Sequence, residues 1–288
     1  MNKFFIILSL ILFGTIPISI QAGNDVKLSK EENAIVKKLK ASFKPKSVDM
    51  KIGEDGFKFY ELISKEGTHF IADSVGTIII DPKYEYSYII YIPKAEISKR
   101  DYFHSKWGHS QAILSVPVER TFIASKNSRS GYSNGDTKYP SFFYNEQGEL
   151  LTFYTDELEK FGNTLFRVHH IGEDTSAYGL YGVISADGRE IIPTEYDFVT
   201  PSSKFIDKGY WSISSSNGGI KFWGITNITD TKIGVPCKFY DVELLDDDRF
   251  LVRLTEHDTP EIYDSSKDYT LEFDDKGKNY IIKKNIKR

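Results

Sequence analysis

One cysteine, Cys237, stands in a chain of 288 residues, so no internal disulfide can form and stability must come from a packed core. Methionine and tryptophan are scarce too, at two and three residues. No P-loop and no G-x-G-x-x-G occurs, and "RSGYSNG" does not supply a G-x-S-x-G elbow, so the local signatures of nucleotide binding and of a serine nucleophile are missing. An excess of one charge is missing as well. The 37 Lys and Arg against 41 Asp and Glu leave a net charge of −4. That balance speaks against nucleic acid as a partner, because its binders carry a clustered basic surface.

Long apolar runs are absent after the first 22 residues. "MNKFFIILSLILFGTIPISIQA" carries one cation, Lys3, an apolar run from Phe4 to Phe13, and Ile20 and Ala22 at −3 and −1 of a cleavage point. This is the layout of a secretory signal peptide. The alternative is a membrane anchor, but Gly14 and Pro17 interrupt the run, which is marginal for a hydrocarbon core of about 30 Å. The expectation is cleavage after Ala22, a secreted or periplasmic location, and no transmembrane segment once the signal is removed.

What the chain does have is 40% hydrophobic residues with 18 Tyr and 20 Phe, a composition that favours strands. It also repeats itself. "YGVISADGREIIPTEYDFV", from Tyr181 to Val199, has an aromatic–glycine pair (Tyr181-Gly182), a turn at Asp187-Gly188, Pro193 and the pair Tyr196-Asp197. "WGITNITDTKIGVPCKFYDV" repeats that grammar with Trp223-Gly224, Pro236 and Tyr240-Asp241. Weaker copies surround Gly76, Gly148 and Gly277, and Trp107-Gly108 adds another aromatic–glycine pair. A polar–Gly turn between apolar runs is a hairpin signal, since glycine accepts a positive φ. Runs such as Ile78-Ile79-Ile80 are short and β-branched, and read as buried strands. Proline after such a run suits a strand end or edge. A period near 40 residues predicts stacked supersecondary units sharing one core.

These residues resemble the WG (or KWG) repeat, clearest at about 178–215 and 220–255. The resemblance implies a β-rich repeat architecture and no shared catalytic residues. The expected organisation is a signal peptide at 1–22, a helix and linker at 23–50, and a β-repeat domain at 51–288. The expected fold is all-β, built of tandem antiparallel hairpins as a propeller-like ring or an open hairpin array. Tyr181, Trp223 and Trp107 are expected to pack in the core or between repeats, with truncation of Trp223 costing on the order of 3–5 kcal/mol. In the N-terminal flank, Ser29 and Glu32 form a capping box ahead of Ala34, Ile35, Leu39 and Phe43, and Pro45 ends the run, so a short amphipathic helix is expected there.

Chemistry-bearing clusters are few. His104 and His109 flank Trp107-Gly108 and His169-His170 adjoin, but no local third ligand completes a zinc site. Asp246 to Asp248 and Asp274-Asp275 lack calcium-loop spacing. Cys237, beside Pro236, reads as a structural thiol. The stretch most open to a ligand is the long polar loop Ser125 to Ser141, where Tyr132 and Tyr139 could stack on a sugar or peptide and Asn134 and Asp136 could hydrogen-bond it. The sequence therefore points to a non-enzymatic binding or scaffold module with a protein or glycan partner and no cofactor. A carbohydrate-binding protein, or a hydrolase with a site assembled across repeats, are the alternatives.

Overall fold

A computed structural model describes residues 28–104, 110–126, 140–155, 157–170, 179–202, 204, 206–217, 219–230, 234–246, 249–273 and 280–286. Strands make up 59% and helix 9% of the described residues, an all-β fold with one α-helix, and no closed barrel forms among them. Among the described residues no helix is long and apolar enough to cross a membrane.

Helix α1 (Lys30–Phe43) starts at the capping box expected from the sequence: the Glu32 N–H donates to Ser29 Oγ and the Ser29 N–H to Glu32 Oε2. Leu39 is buried, and Ile35 and Val36 pack beside it on Tyr60, Leu62, Phe70 and Ala72. The helix thus covers the outer side of the first sheet, formed in order by β1 (Ser47–Ile52), β2 (Lys58–Ile63), β3 (His69–Asp73) and β4 (Ile78–Ile80). β1 begins inside the stretch 23–50 read from the sequence as helix and linker.

Six further groups follow among the described residues. β5 (Tyr88–Ile92) leads into an inserted hairpin, β6 (Arg100–His104) with β7 (Ser110–Leu114), before β8 (Thr121–Ser125), β9 (Ser141–Asn145) and β10 (Leu150–Tyr154) complete a second sheet in the order β10-β9-β8-β5. The third sheet is β11 (Glu157–Phe161), β12 (Leu165–His170), β13 (Leu180–Ser185) and β14 (Glu190–Tyr196). The fourth is β15 (Phe198–Pro201), β16 (Tyr210–Asn217), β17 (Ile220–Asn227) and β18 (Gly234–Phe239). β19 (Asp241–Asp246), β20 (Arg249–Arg253) and β21 (Glu261–Ile262) form a three-stranded fifth sheet, and β22 (Lys267–Phe273) pairs with β23 (Tyr280–Ile286) in a last hairpin. Every one of these pairings is antiparallel.

The hydrophobic clusters run in chain order. One joins α1 to the first sheet, one the first to the second, one the second, third and fourth, and one the fourth to the fifth and the last hairpin. None of these clusters among the described residues joins the first sheet to the last. The repeat seen in the sequence is out of phase with the sheets. The stretch 178–215 covers β13 and β14 of the third sheet and then β15 and most of β16 of the fourth, so each sequence copy spans two consecutive sheets.

Candidate functional site

The aromatic–glycine pairs occupy equivalent places. On β13 the step from Tyr181 to Val183 faces the four-residue step from Tyr196 back to Ile192 on β14. On β17 the step from Trp223 to Ile225 likewise faces Phe239 back to Val235 on β18. Two surplus residues therefore bulge over each glycine, starting at Pro193 and Pro236. The glycines make room for them: a Cβ at Gly182 would lie 2.7 Å from the Ile192 carbonyl oxygen, and one at Gly224 would lie 2.6 Å from that of Val235. Proline fits because a bulged residue leaves the ladder without its N–H. The register sets Phe239, not Tyr240, in the place of Tyr196. Tyr240 instead matches Asp197 as the residue whose N–H opens the next sheet, donating to Arg253 O as Asp197 N–H donates to Ser214 O.

Tyr181 and Trp223, expected in the core or between repeats, are only partly buried, and Tyr181 packs against the central core cluster. Tyr181 is partly buried, stacked on His169 at 4.4 Å with the Arg167 guanidinium 5.1 Å from its centroid. Trp223 is also partly buried, edge-on to Phe198 at 5.9 Å, with Lys221 Nζ 4.4 Å above its ring. The tryptophan of the core is Trp211, 1% exposed and packed on Phe161. Trp107 and Gly108 lie outside the described residues. Cys237 sits in the bulge over Gly224, its thiol donating to Phe222 O at 3.4 Å, and burial pushes that thiol up to about 11.

Gly188 is the glycine of the β13–β14 turn, and the same turn recurs at Gly76 and Gly148. In each, the glycine N–H donates to the carbonyl three residues back (Ser185, Asp73, Asn145), at positive φ. Each turn also presses on what precedes it: Gly76 on Ile35 of α1, Gly148 on Ile79 of β4, Gly188 on Thr152 of β10. Stacking thus lines the turns of three sheets along one edge of the array.

That edge holds a polar network around Asp55 and Arg120. Asp55, in the β1–β2 turn, accepts from Arg120 Nε at 2.6 Å, from Tyr91 Oη at 2.8 Å and from the backbone N–H groups of Lys94 and Phe57. Arg120 Nη1 donates to Glu146 Oε2 at 2.6 Å, and its guanidinium lies 5.0 Å from the Phe57 ring centroid. Burial alone would raise the Asp55 carboxyl, but the hydrogen bonds from Arg120, Tyr91 and the backbone outweigh it and hold it below the ordinary carboxylate range. Arg120 lowers Glu146 in the same direction. A second clamp mirrors the first: Asp187 accepts from the Glu119 N–H and from Arg189 Nε, while Arg189 Nη2 donates to Pro117 O. Between the clamps runs the two-way backbone bridge of Ala95 and Val118.

Two open depressions of about 390 and 430 Å³ flank the Arg120–Glu146 pair and share Arg120, Glu146 and Gln147. The first continues over Asn145, Leu151, Asp187 and Arg189, the second over Phe57, Asp73, Thr77 and Ile79. The sequence reading missed these residues because Asp55, Arg120 and Glu146 are far apart in the chain. Aligning the turns by their glycines would have found part of the signal, since Asp55-Gly56, Glu146-Gln147-Gly148 and Asp187-Gly188 each place an acid just before the glycine.

Of the loop picked out from the sequence, Ser125 and Ser141 face each other at the open end of β8 and β9, on the edge opposite the turns. Tyr132, Asn134, Asp136 and Tyr139 lie outside the described residues, as do His109 and Asp274-Asp275. Asn227 is buried, its Nδ2 donating to Lys208 O and its Oδ1 accepting from the Thr229 and Asp230 N–H groups. Residues 181–204 match the family model described as WG containing repeat. No curated protein matches the chain. The chain is thus similar to a WG-type β-repeat over β13 to β15, with the bulge over Gly182 inside the match.

Proposed function

We propose that this is an exported, non-enzymatic β-repeat protein that binds a protein partner along the edge formed by its stacked turns. One observation carries the reading: the depressions on that edge are open, and their charged groups are already satisfied by one another. Small-molecule sites are enclosed and mostly apolar with a few convergent polar groups. A pre-paired polar surface spread over three sheets suits a broad, rigid contact, which is how repeat arrays present themselves. The apolar run and small-residue ending of residues 1–22 support export.

A photo-crosslinking residue at Gln147, compared with one at Lys65 in the β2–β3 turn, tests this in cells. Capture of one discrete protein at Gln147 and none at Lys65 is the expected result. Equal labelling at both positions, or labelling confined to the 125–141 edge, would refute the turn edge as the contact. Retention of residues 1–22 in a membrane fraction would refute release by cleavage after Ala22. A glycan array separates the carbohydrate-binding alternative.

A further inference from the structure

Two edge strands on this chain are complementary and cannot meet within it. β10 is hydrogen-bonded only to β9, and β23 only to β22, so each has one outer edge among the described residues. Such edges are templates for pairing with another strand. Both also expose large apolar side chains: Leu150 50%, Leu151 46% and Phe153 56% on β10, and Ile281 58% and Ile286 80% on β23.

Their charges are opposite. From residue 141 to 159 the sequence has Glu146, Glu149, Asp156, Glu157 and Glu159 and no Lys or Arg, Glu146 and Glu159 pairing with Arg120 and Arg167 from outside that stretch. From 276 to 288 it has Lys276, Lys278, Lys283, Lys284, Lys287 and Arg288 and no acid. Lys283 and Lys284 pair with Glu272 and Glu261, but these are surface pairs, and exposed pairs hold weakly. Within one chain the two strands are held apart. β10 packs under the third sheet, where Tyr154 Oη donates to Gly188 O, whereas Tyr280 of β23 packs on Phe222 of the fourth.

We propose that β23 of one copy adds to the β10 edge of a second copy, antiparallel or parallel, giving head-to-tail self-association. The contact is heterologous, so any assembly that does not close into a ring keeps a free β10 and a free β23 at its ends and can grow further. Main-chain hydrogen bonds would supply pairing, the exposed Leu, Phe and Ile side chains burial, and the opposed charges orientation.

The test is sedimentation of the purified protein over a concentration series at low and high salt. The wild type should associate with concentration, and less so at high salt, where charges are screened. Phe153→Lys and Ile281→Glu should each weaken association about tenfold or more. Mixed in equal amounts, they should form a 1:1 heterodimer and nothing larger, since each variant keeps one intact edge. Phe153 stacks on Phe142 at 6.0 Å, so Leu150→Lys serves as a second β10 variant, with melting temperatures compared throughout. A wild type that stays monomeric, variants that associate like the wild type, or a mixture that does not recombine would each overturn the proposal.

Discussion

Gly148 sits directly against Ile79: a Cβ on the glycine would lie 2.7 Å from the Ile79 carbonyl carbon and closer still to its oxygen. This contact between the β9–β10 turn and β4 sets the spacing of the first two sheets. It also requires the φ of +81° that only glycine adopts at little cost.

Gly148→Ala and Gly67→Ala therefore separate two effects. Gly67 has a similar φ, +89°, but open space where a Cβ would go. Gly67→Ala should cost roughly 1–2 kcal/mol from backbone strain alone. Gly148→Ala should cost clearly more, because the sheets must also move apart. Denaturant unfolding of both variants checks the order, and equal losses would remove Gly148 as a docking contact.

Within the repeat pair, the glycine should matter more than the tryptophan. Trp223 is partly buried, so Trp223→Ala should cost roughly 1–2 kcal/mol, below the range for full burial of a large side chain. Gly224→Ala forces a Cβ onto the Val235 carbonyl and should cost more. Trp211→Ala, at 1% exposure, should cost roughly 3–5 kcal/mol. Chemical denaturation of the three variants gives the ranking directly.

Acid should loosen the turn edge. Asp55 and Glu146 are both held below their ordinary values, so near pH 4 the folded state binds fewer protons than the unfolded one. Stability from these groups is complete above their unfolded values, about 3.9 and 4.3, and is lost as pH falls through the depressed folded values. Asp55→Asn should lower stability at pH 7 by roughly 1–3 kcal/mol, as for hydrogen bonds to a charged group. It should also flatten the melting temperature's fall below about pH 4. An unchanged acid profile would show that the clamp carries no linkage.

The Cys237 thiol should resist modification. With its pKa up at about 11, little thiolate exists near neutral pH, and the thiolate is the reactive form. Alkylation of the native protein at pH 8 should be roughly a hundredfold slower than in denaturant, where the pKa returns to about 8.5. Equal rates would place the thiol in solvent.

Local features of this protein were legible from its sequence because local rules govern them. Ser29 and Glu32 cap α1 through bonds three residues apart, Gly188 marks its turn because positive φ needs glycine, and β-branched runs become strands. The spacing of Gly182 and Gly224 likewise foretold equivalent places. What the sequence left open depends on which segments meet in space. Nothing near Trp211 or Trp223 says which indole is buried; the packing of Phe161 on one and the open side of the other decide that. The bulge over each glycine shifts Phe239 into the place that Tyr240 seemed to hold, since register is set by strand pairing. Asp55, Arg120 and Glu146 meet because the turn at Gly148 presses on Ile79 and aligns the edges of successive sheets. A network assembled from residues 65 and 26 positions apart leaves no periodic trace in a chain, and only the stacking of the sheets brings it together.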